Sequence, residues 1–325
     1  MKKALITGAN GQDASFLAEL LLQKDYKVYG TIRRNSVPES QTTRISSLRD
    51  DNKIELVYAD LVDPTSVDAV VNKIQPDELY HLAAQSHVRI SFDLPNYTTQ
   101  TNAIGTLNVL EAVRKTNKQI KIYNAASSEM FGNSFDDDLF QRETTPMHPV
   151  SPYGCSKLFA YNLCNNYKQA YNMFISSGIL FNHESYRRGI NFVTNKVVHD
   201  AVQVSVGKKT KIRLGNLEAQ RDWGHAKDYV KAMWLMLQQY KPDNFVIATG
   251  ETHSVRFLVE YVLSKLNLKF HECVEIDPNL FRPEELKYLK GDCSFARKSL
   301  GWKPEYTFES MIDEMIDYWC TKYRS

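Results

Sequence analysis

The sequence predicts an α/β fold: a doubly wound parallel sheet with helices on both faces, and a smaller, mostly C-terminal α/β lobe. Short apolar runs alternate with helical patterns through the first half of the 325-residue chain. Repeated β-α units of this length form parallel sheets covered by helices. After about Asn182, helices alternate with shorter strands and proline-bearing loops, which indicates the second lobe. Right-handed crossovers then place ligands at the C-terminal ends of the strands.

Apolar periodicity predicts the individual elements of the first half. Residues 3–7 form a short apolar run before Gly8, which is typical of a strand that enters a turn. Helical spacing of apolar residues predicts helices over 15–23, 66–74 and 97–115. Further strands are predicted over 27–32, 54–58, 78–82, 121–124 and 174–180.

The second half is predicted to hold helices over 192–206, 226–239, 256–266 and 308–322. Short strands are predicted over 211–214 and 244–248. We therefore expect residues 1–181 to form the first domain and residues 182–325 the second, with segments of the second returning to the sheet.

Composition excludes several classes of protein. The net charge of +2 and the pI of about 8.1 provide no field for binding nucleic acid or a membrane surface. No apolar run approaches the roughly 20 residues of a membrane span. The first apolar run is shorter than the about 7–15 residues of a signal-peptide core. The five cysteines form no CxxC pair and no metal-ligand pattern, which favours reduced thiols in the cytoplasm and no bound metal.

The segment after the first strand has the pattern of a dinucleotide-binding loop. Gly8 permits a tight turn, Gly11 lets the backbone approach a pyrophosphate, and Ala14 allows close helix–strand packing. Amide groups at the helix start then hold the phosphates. The sheet is therefore predicted to be Rossmann-like. The predicted phosphate-loop residues are Gly8, Asn10, Gly11, Gln12 and Asp13.

Residues after the second, third and fourth strands predict the rest of the cofactor site. Arg33 and Arg34 stand where an NAD site usually has an acid, and two arginines suit the 2′-phosphate of NADP. Asp60 and Leu61 are expected to bracket the adenine. The residues beside the nicotinamide ribose are predicted to be Leu82, Ala83, Ala84, Gln85 and Ser86.

The predicted catalytic residues combine a strand end with a helix. Tyr153 and Lys157 are four residues apart, so they share a helix face, and the Lys ammonium is expected to lower the pKa of the phenol. The apolar run over residues 120–126 is followed directly by Ser127, Ser128 and Glu129. A carboxylate therefore follows directly on a buried strand, where ligands of such a sheet bind.

These motifs resemble those of the extended short-chain dehydrogenase/reductase superfamily and, more narrowly, the GDP-mannose 4,6-dehydratase family. The likeness covers nearly the whole chain. It includes ALITG, GQD, LAELLL, SSEMFG, SPY, SKL, GILFNHES, LGNLEAQRDWGHAKDYV and LGWKPE.

The resemblance implies an internal redox dehydration with recycled NADP. Tyr153 would take the proton of the sugar C4 hydroxyl while hydride leaves C4, and Ser127 would hydrogen-bond the C4 oxygen. Glu129 would then abstract the C5 proton and protonate the departing C6 hydroxyl. Lys157 would hold the nicotinamide ribose. The products would be a GDP-4-keto-6-deoxy sugar and water.

The resemblance also implies the remaining ligand residues. Tyr97, His183 and Arg188 would contact the cofactor. The second domain would bind the GDP-sugar, and the substrate-binding residues would be Ser86, Asn182, Lys196, Leu214, Gly215, Arg221, Arg282 and Glu285. Cations among them suit a pyrophosphate, and a carboxylate suits the guanine N1–H and amino group.

Four positions depart from the family pattern, and they leave the identity of the substrate's sugar undecided. Ser127 replaces the usual Thr, Ala14 the third Gly, Tyr186 a Pro, and Asn195 an Arg. The substrate is expected to be GDP-mannose, with GDP-N-acetylglucosamine and a GDP-heptose as alternatives.

Three other functions are weighed against the dehydratase. An epimerase or 4-ketoreductase would not need Glu129, and a dTDP-sugar dehydratase usually has an Asp where Ser128 stands. A non-catalytic NADP-binding scaffold commonly loses the Tyr153 and Lys157 pair, which this chain retains. Family members form homodimers or homotetramers, in which the segment 33–44 would reach toward a neighbour's cofactor.

Overall fold

The computed structural model describes residues 1–34 and 43–324. A seven-stranded sheet in the order β11-β6-β5-β4-β1-β2-β3 forms its centre, and every pairing in it is parallel. The predicted doubly wound α/β fold is confirmed. The strands of this sheet are β1 (Lys3–Thr7), β2 (Lys27–Ile32), β3 (Ile54–Tyr58), β4 (Glu78–His81), β5 (Lys121–Ser127), β6 (Ile175–Leu180) and β11 (Phe245–Ile247).

Helices cover the two faces of the sheet and bury its apolar strands. The helices of the first half are α1 (Gln12–Gln23), α2 (Ser46–Asp50), α3 (Pro64–Ile74), α4 (Val88–Asp93), α5 (Pro95–Thr99), α6 (Gly105–Thr116) and α7 (Pro152–Tyr171). On one face α1 packs with α9 (Ala226–Leu237), and on the other α3 packs with α6. All six residues of β6 are buried, as expected for a strand covered on both faces.

The second lobe has its own apolar core and lies beside the C-terminal ends of the sheet strands. Its helices are α8 (Val193–Ser205), α10 (Val255–Lys265), α11 (Phe270–Cys273) and α13 (Phe308–Arg324), whereas α12 (Ser294–Leu300) packs on β11 of the sheet. Its strands are β7 (Asn182–Glu184), β8 (Ile212–Leu214), β9 (Gln220–Arg221), β10 (Trp223–His225), β12 (His253–Ser254) and β13 (Val274–Ile276). Met311, Met315 and Trp319 of α13 pack into this core with Val198 of α8 and Val259 of α10.

Most predicted elements are present, and their ends differ for local reasons. The first helix begins at Gln12 rather than residue 15, because Gly11 in extended conformation already caps it. The strand β5 extends to Ser127, which puts Ser127 inside the sheet. The segment predicted as one helix over 97–115 is helical throughout. It consists of α5 and α6 joined by a π-helical turn, Gln100–Ile104.

Three segments of the second half belong with the sheet, and one of them is α12, which packs on β11. The strand β11 extends the sheet beside β6, and α9 packs on α1. The division at residue 181 therefore stays a prediction. Residues 35–42, which continue the arginine segment predicted to serve assembly, lie outside the described residues. Within the described ranges, no helix combines the length and apolar character needed to cross a membrane.

Candidate active site

The loop between β1 and α1 has the conformation that its glycines predict. Gly8 has φ of +72°, and a Cβ there would lie 2.9 Å from the Cα of Ala83. Gly11 donates its amide to the Gly8 carbonyl at 2.9 Å, which closes the turn. The first amides of α1 follow at once and lack partners within the helix, so this end can bind phosphate.

Gln12 and Asp13 connect this loop to the second lobe. The Gln12 amide donates to the His183 carbonyl at 3.1 Å, and the Ser185 hydroxyl donates to Gln12 at 2.8 Å. His183 Nε2 lies 2.7 Å from Asp13 Oδ2. Burial opposes charge on both groups, but the ion pair prevails: it lowers the pKa of Asp13 and raises the pKa of His183.

The predicted adenine-side residues lie at the ends of β2 and β3. Arg33 and Arg34 are exposed directly after β2, and the Arg33 guanidinium hydrogen-bonds the Tyr97 hydroxyl. Asp60 follows β3 and accepts the Val62 amide at 3.2 Å. Leu61 is buried beside Gly105, where a Cβ would lie 2.8 Å from the Leu61 Cβ.

Hydrogen bonds with Thr7 and Asn102 fix the backbone of the segment after β4. The Thr7 hydroxyl accepts the amides of Leu82 and Ala83, both at 3.0 Å. Asn102 accepts the Gln85 amide at 2.8 Å and donates to the Gln85 carbonyl at 2.9 Å. The backbone predicted to pass the nicotinamide ribose is therefore held at both ends.

Ser127 and Glu129 stand where β5 ends. The Ser127 hydroxyl accepts the Glu129 amide at 3.2 Å and caps a short 3₁₀ turn, Ser128–Met130. Glu129 is 8% exposed, and its Oε2 has no hydrogen-bond partner among the described residues. A buried carboxylate oxygen without a partner is costly in a structural role, which indicates that it awaits a ligand.

The helix α7 brings Tyr153 and Lys157 to the same strand end. Ser151 caps the helix by accepting the Gly154 amide at 3.0 Å, and Pro152 occupies its first turn. A Cβ at Gly154 would lie 2.7 Å from the Glu129 carbonyl oxygen. Only glycine therefore permits this close approach of α7 to Glu129.

The charge state of this pair differs from the prediction. Burial raises the pKa of Tyr153 to about 12, against the lowering effect of its hydrogen bond with Ser127. Burial also lowers the pKa of Lys157 to about 8. The Lys157 ammonium donates to the Ala125 carbonyl at 2.8 Å rather than to the phenol. The prediction that Lys157 lowers the pKa of Tyr153 in this chain is therefore wrong, because desolvation dominates.

Charged side chains of the second lobe reach the same strand end. The Arg221 guanidinium is buried and donates to Glu285 at 2.7 Å. Arg282 lies between Glu285 and Glu129, with Nη1 at 3.5 Å and 3.3 Å from their respective Oε1 atoms. Three residues predicted to bind the nucleotide are thereby joined to the predicted base.

The remaining predicted residues of the second lobe lie nearby. Lys196 donates to Asp200 at 3.0 Å, and Arg188 lies 3.3 Å from Glu184. Asn182 begins β7, directly after the sheet strand β6. Gly215 allows a close approach, because a Cβ there would lie 2.9 Å from the Leu280 carbonyl.

One cavity of about 850 Å³ collects most of these residues, and this volume suits a small-molecule site. The predicted residues that line it are Gly8, Gly11, Gln12, Asp13, Leu82, Ala84, Ser86, Ser127, Glu129, Tyr153, Lys157, Asn182, His183, Arg188, Lys196, Leu214, Gly215, Arg221, Arg282 and Glu285. The predicted residues outside its lining are Asn10, Arg33, Arg34, Asp60, Leu61, Ala83, Gln85 and Tyr97. Their ligand roles stay predictions.

Sequence reasoning did not identify two residues that support the site. Asp200 lines the cavity and pairs with both Lys196 and Lys209. Its four-residue spacing from Lys196 on α8 was a usable signal. Buried Ser91 accepts the Tyr153 amide at 3.2 Å, and nothing in its local sequence indicates that contact.

The sequence model of the GDP-mannose 4,6 dehydratase family matches residues 5–315, and the match includes every element that lines the cavity. The chain belongs to the GDP-mannose 4,6-dehydratase family. The similarity extends across kingdoms. The GDP-mannose 4,6 dehydratase 2 of Arabidopsis thaliana is 49% identical, with 97% of this chain and 86% of the relative covered. The GDP-mannose 4,6 dehydratase of Homo sapiens is 45% identical, with 96% of this chain and 90% of the relative covered.

Solved structures share the fold of this family member at lower identity. The UDP-glucose 4-epimerase of Thermotoga maritima, with UDP-glucose, has a TM-score of 0.86 at 21% identity, over 99% of both chains. The dTDP-glucose 4,6-dehydratase of Bacillus anthracis, in complex with NAD, has a TM-score of 0.84 at 22% identity, over 99% of this chain and 97% of that chain. At these identities the likeness shows the fold alone.

Proposed function

We propose that this member of the family is a GDP-mannose 4,6-dehydratase that uses NADP without consuming it. One observation carries the proposal: the Glu129 carboxylate, whose Oε2 has no hydrogen-bond partner among the described residues, lies at the same strand end as Ser127 and Tyr153, in a cavity that also holds the glycine loop. A base beside a redox site is needed for dehydration. An epimerase on this scaffold would leave that buried carboxylate without a use.

The residues present fit a dinucleotide. Gly8 lets the loop pack closely on Ala83, where a Cβ would lie 2.9 Å from the Ala83 Cα, and the start of α1 presents its first amides to a pyrophosphate. Lys157, which lines the same cavity, would hold the nicotinamide ribose. The exposed Arg33 and Arg34 after β2 support NADP over NAD, because guanidinium groups pair with a 2′-phosphate. When bound, the nicotinamide accepts hydride from the sugar C4 and later supplies it to C6.

Tyr153 and Ser127 act at the C4 hydroxyl. Tyr153 removes its proton as C4 is oxidised, and Ser127 donates a hydrogen bond to the C4 oxygen. Burial raises the pKa of the Tyr153 phenol to about 12, and its hydrogen bond with Ser127 opposes that rise. Lys157 assists by fixing the cofactor rather than by contacting the phenol.

Glu129 performs the elimination. The C4 ketone acidifies the C5 proton, which the Glu129 carboxylate removes. Glu129 then returns this proton to the C6 hydroxyl, which leaves as water. After C6 has been reduced, C5 regains a proton, and the proton taken earlier by Tyr153 balances it. The sum is loss of one water, with the C4 hydroxyl converted to a ketone and C6 to a methyl group.

The second lobe supplies the nucleotide site. Arg221, Arg282 and Lys196 are cations that suit the two phosphates, and Glu285 suits the guanine N1–H and amino group. Ser127, one methyl smaller than the family's usual Thr, leaves more room beside the sugar. GDP-N-acetylglucosamine and a GDP-heptose are therefore the substrates to compare with GDP-mannose.

The test is direct turnover. Purified protein with NADP is incubated separately with GDP-mannose, GDP-N-acetylglucosamine and a GDP-heptose, and formation of the 4-keto-6-deoxy product is measured. We expect GDP-mannose to react fastest. Failure of all three to react would reject the dehydratase, and faster turnover of another sugar would reassign the substrate.

The Glu129→Gln variant tests the role that separates a dehydratase from an epimerase. We expect kcat to fall by about 10²–10⁴-fold, the usual worth of a positioned acid–base group. Exchange of the C5 proton with deuterated solvent should fall with it. The matched control is Glu284→Gln, an exposed acid of the Arg282 segment, which should leave both rates unchanged. Unchanged turnover in Glu129→Gln would refute the assigned role.

Compartment and assembly complete the proposal. All five cysteines are free thiols, which supports a reducing compartment, the cytoplasm. We infer a homodimer or homotetramer from the family. Light scattering on the purified protein measures its mass directly, and a monomer would reject this inference.

A further inference from the structure

Arg282 has two carboxylate partners that lie close together. Its Nη1 is 3.3 Å from Glu129 Oε1 and 3.5 Å from Glu285 Oε1. All three side chains are at least partly shielded, with exposed fractions of 26% for Arg282, 10% for Glu129 and 23% for Glu285. The contacts are therefore less screened by water than a surface pair.

The two carboxylates differ in what else supports them. Glu285 also accepts a 2.7 Å hydrogen bond from buried Arg221, which is held in turn by the carbonyls of Gln220 and Leu286. In the part of the chain that the structure describes, Glu129 has no other cation within ion-pair distance, and its Oε2 has no hydrogen-bond partner. Loss of Arg282 would thus leave Glu285 paired with Arg221, whereas Glu129 would have no cation within ion-pair distance among the described residues.

Arg282 also has unused capacity for an anion. Its Nε and Nη2 groups form no hydrogen bond with any residue in the described ranges. A guanidinium presents these donors in a planar fork that matches phosphate oxygens. Arg282 also lines the cavity together with Glu129 and Arg221.

We propose that Arg282 is a positioning residue that exchanges partners: it restrains Glu129 in the free enzyme, and the substrate's diphosphate draws it away. This inference rests on the proposed function. The ion pair holds the Glu129 carboxylate on the guanidinium, so the carboxylate is free to contact the sugar only when that contact breaks. Binding of the nucleoside diphosphate therefore releases the base for the C5 proton.

The exchange has a reciprocal thermodynamic consequence. If the diphosphate weakens the contact between Arg282 and Glu129, Glu129 must weaken diphosphate binding by the same factor. Free GDP has no sugar, so it reports on this competition without involving the chemistry at C4 and C5. Removing the Glu129 charge should then tighten GDP binding.

The experiment is a double-mutant cycle read by titration calorimetry of NADP-loaded protein with GDP. We expect Glu129→Gln to tighten GDP binding about fivefold, the worth of a partly shielded ion pair. Removing the Glu129 charge also reduces its direct repulsion of the diphosphate. The same change is therefore made in the Arg282→Met background, where we expect GDP affinity not to rise. The control Glu284→Gln removes an exposed acid of the same segment and should not change the affinity.

The outcomes separate the two proposals. If wild-type protein binds GDP and Glu129→Gln does not tighten it, or tightens it equally in the Arg282→Met background, the exchange is refuted and the dehydratase proposal stands. Absence of GDP binding by the wild-type protein would instead reject the nucleotide site itself. Arg282→Lys retains the cation, so Glu129→Gln should still tighten GDP binding in that background. Thermal melting verifies that each variant is folded.

Discussion

The Asp13 carboxylate lies 2.7 Å from the His183 imidazole, and this partly buried contact joins the cofactor loop to the second lobe. His183 also contacts the Phe181 carbonyl at 2.7 Å and stacks on Tyr229 with ring centroids 4.5 Å apart. The imidazole therefore has little freedom to turn away. The first turn of α1 is held against β7 by a charged pair in addition to the bonds made by Gln12.

Replacing Asp13 by Asn should destabilise the protein. The Asp13 side chain is 20% exposed, so breaking this partly buried ion pair should cost about 1–3 kcal/mol. The free energy of unfolding from urea titration measures the loss. Asp25→Asn is the matched control: Asp25 is exposed just after the same helix, at φ of 59°, a conformation that Asn tolerates. A loss no larger than in the control would show that the Asp13 pair adds nothing.

The stability supplied by this pair should depend on pH in a defined direction. The pKa of Asp13 is lowered from 3.8, so its contribution is present above that pH and is lost as pH falls. The pKa of His183 is raised from 6.5, so its contribution is present below that pH and is lost as pH rises through the raised pKa. The difference between wild type and Asp13→Asn should therefore be larger at about pH 6 than at about pH 9. Equal differences at both pH values would contradict an ionic pair.

Replacing Gly154 by Ala should displace α7 from the catalytic strand end. The new methyl group would lie 2.7 Å from the Glu129 carbonyl and 2.8 Å from the Pro149 Cβ. Overpacking of this kind costs about 1–3 kcal/mol, and movement of Tyr153 should lower kcat by about tenfold or more. Gly207→Ala is the control for lost stability: no described atom lies within 4 Å of the added Cβ, but φ of +74° strains an Ala there, so stability should fall while kcat is retained. Full activity of Gly154→Ala would argue against the need for this close approach.

Removing the Ser127 hydroxyl should weaken the base function of Tyr153. Burial raises the pKa of Tyr153 and Ser127 opposes that rise, so Ser127→Ala should raise it further. The base acts deprotonated, so the rising limb of kcat/KM against pH should move to higher pH, with about a tenfold loss near neutrality. Ser127→Thr keeps the hydroxyl and should retain the profile. Identical profiles for the Ala and Thr variants would refute this role.

Replacing Arg33 and Arg34 together by Ala should weaken NADP binding selectively. Charge-assisted hydrogen bonds to a phosphate contribute about 1.5–3 kcal/mol, which corresponds to a loss of about tenfold or more in affinity. NAD has no 2′-phosphate, so its affinity should not change. Dissociation constants from calorimetric titration measure both, with Arg256→Ala of α10 as the control. An equal loss of affinity for both cofactors would show that the two arginines do not select NADP over NAD.

The fold and the members of the site were largely predictable, because both depend on local patterns. Gly8 and Gly11 lie between a strand and a helix, and the Tyr153–Lys157 spacing is that of one helix face. Contacts such as that of Ser91 with the Tyr153 amide were not predictable, since they join positions 62 residues apart and leave no periodicity.

The sequence by itself determined the parallel sheet, the cofactor loop and the family, since periodicity and motif spacing are encoded over short ranges. Only the tertiary structure decided the charge states and partners of the site residues. Burial reversed the expected pKa shift of Tyr153, because desolvation depends on everything packed around the phenol. The contact of Arg282 with Glu129 likewise exists only because the second lobe folds back over the end of β5, 153 residues away in the chain.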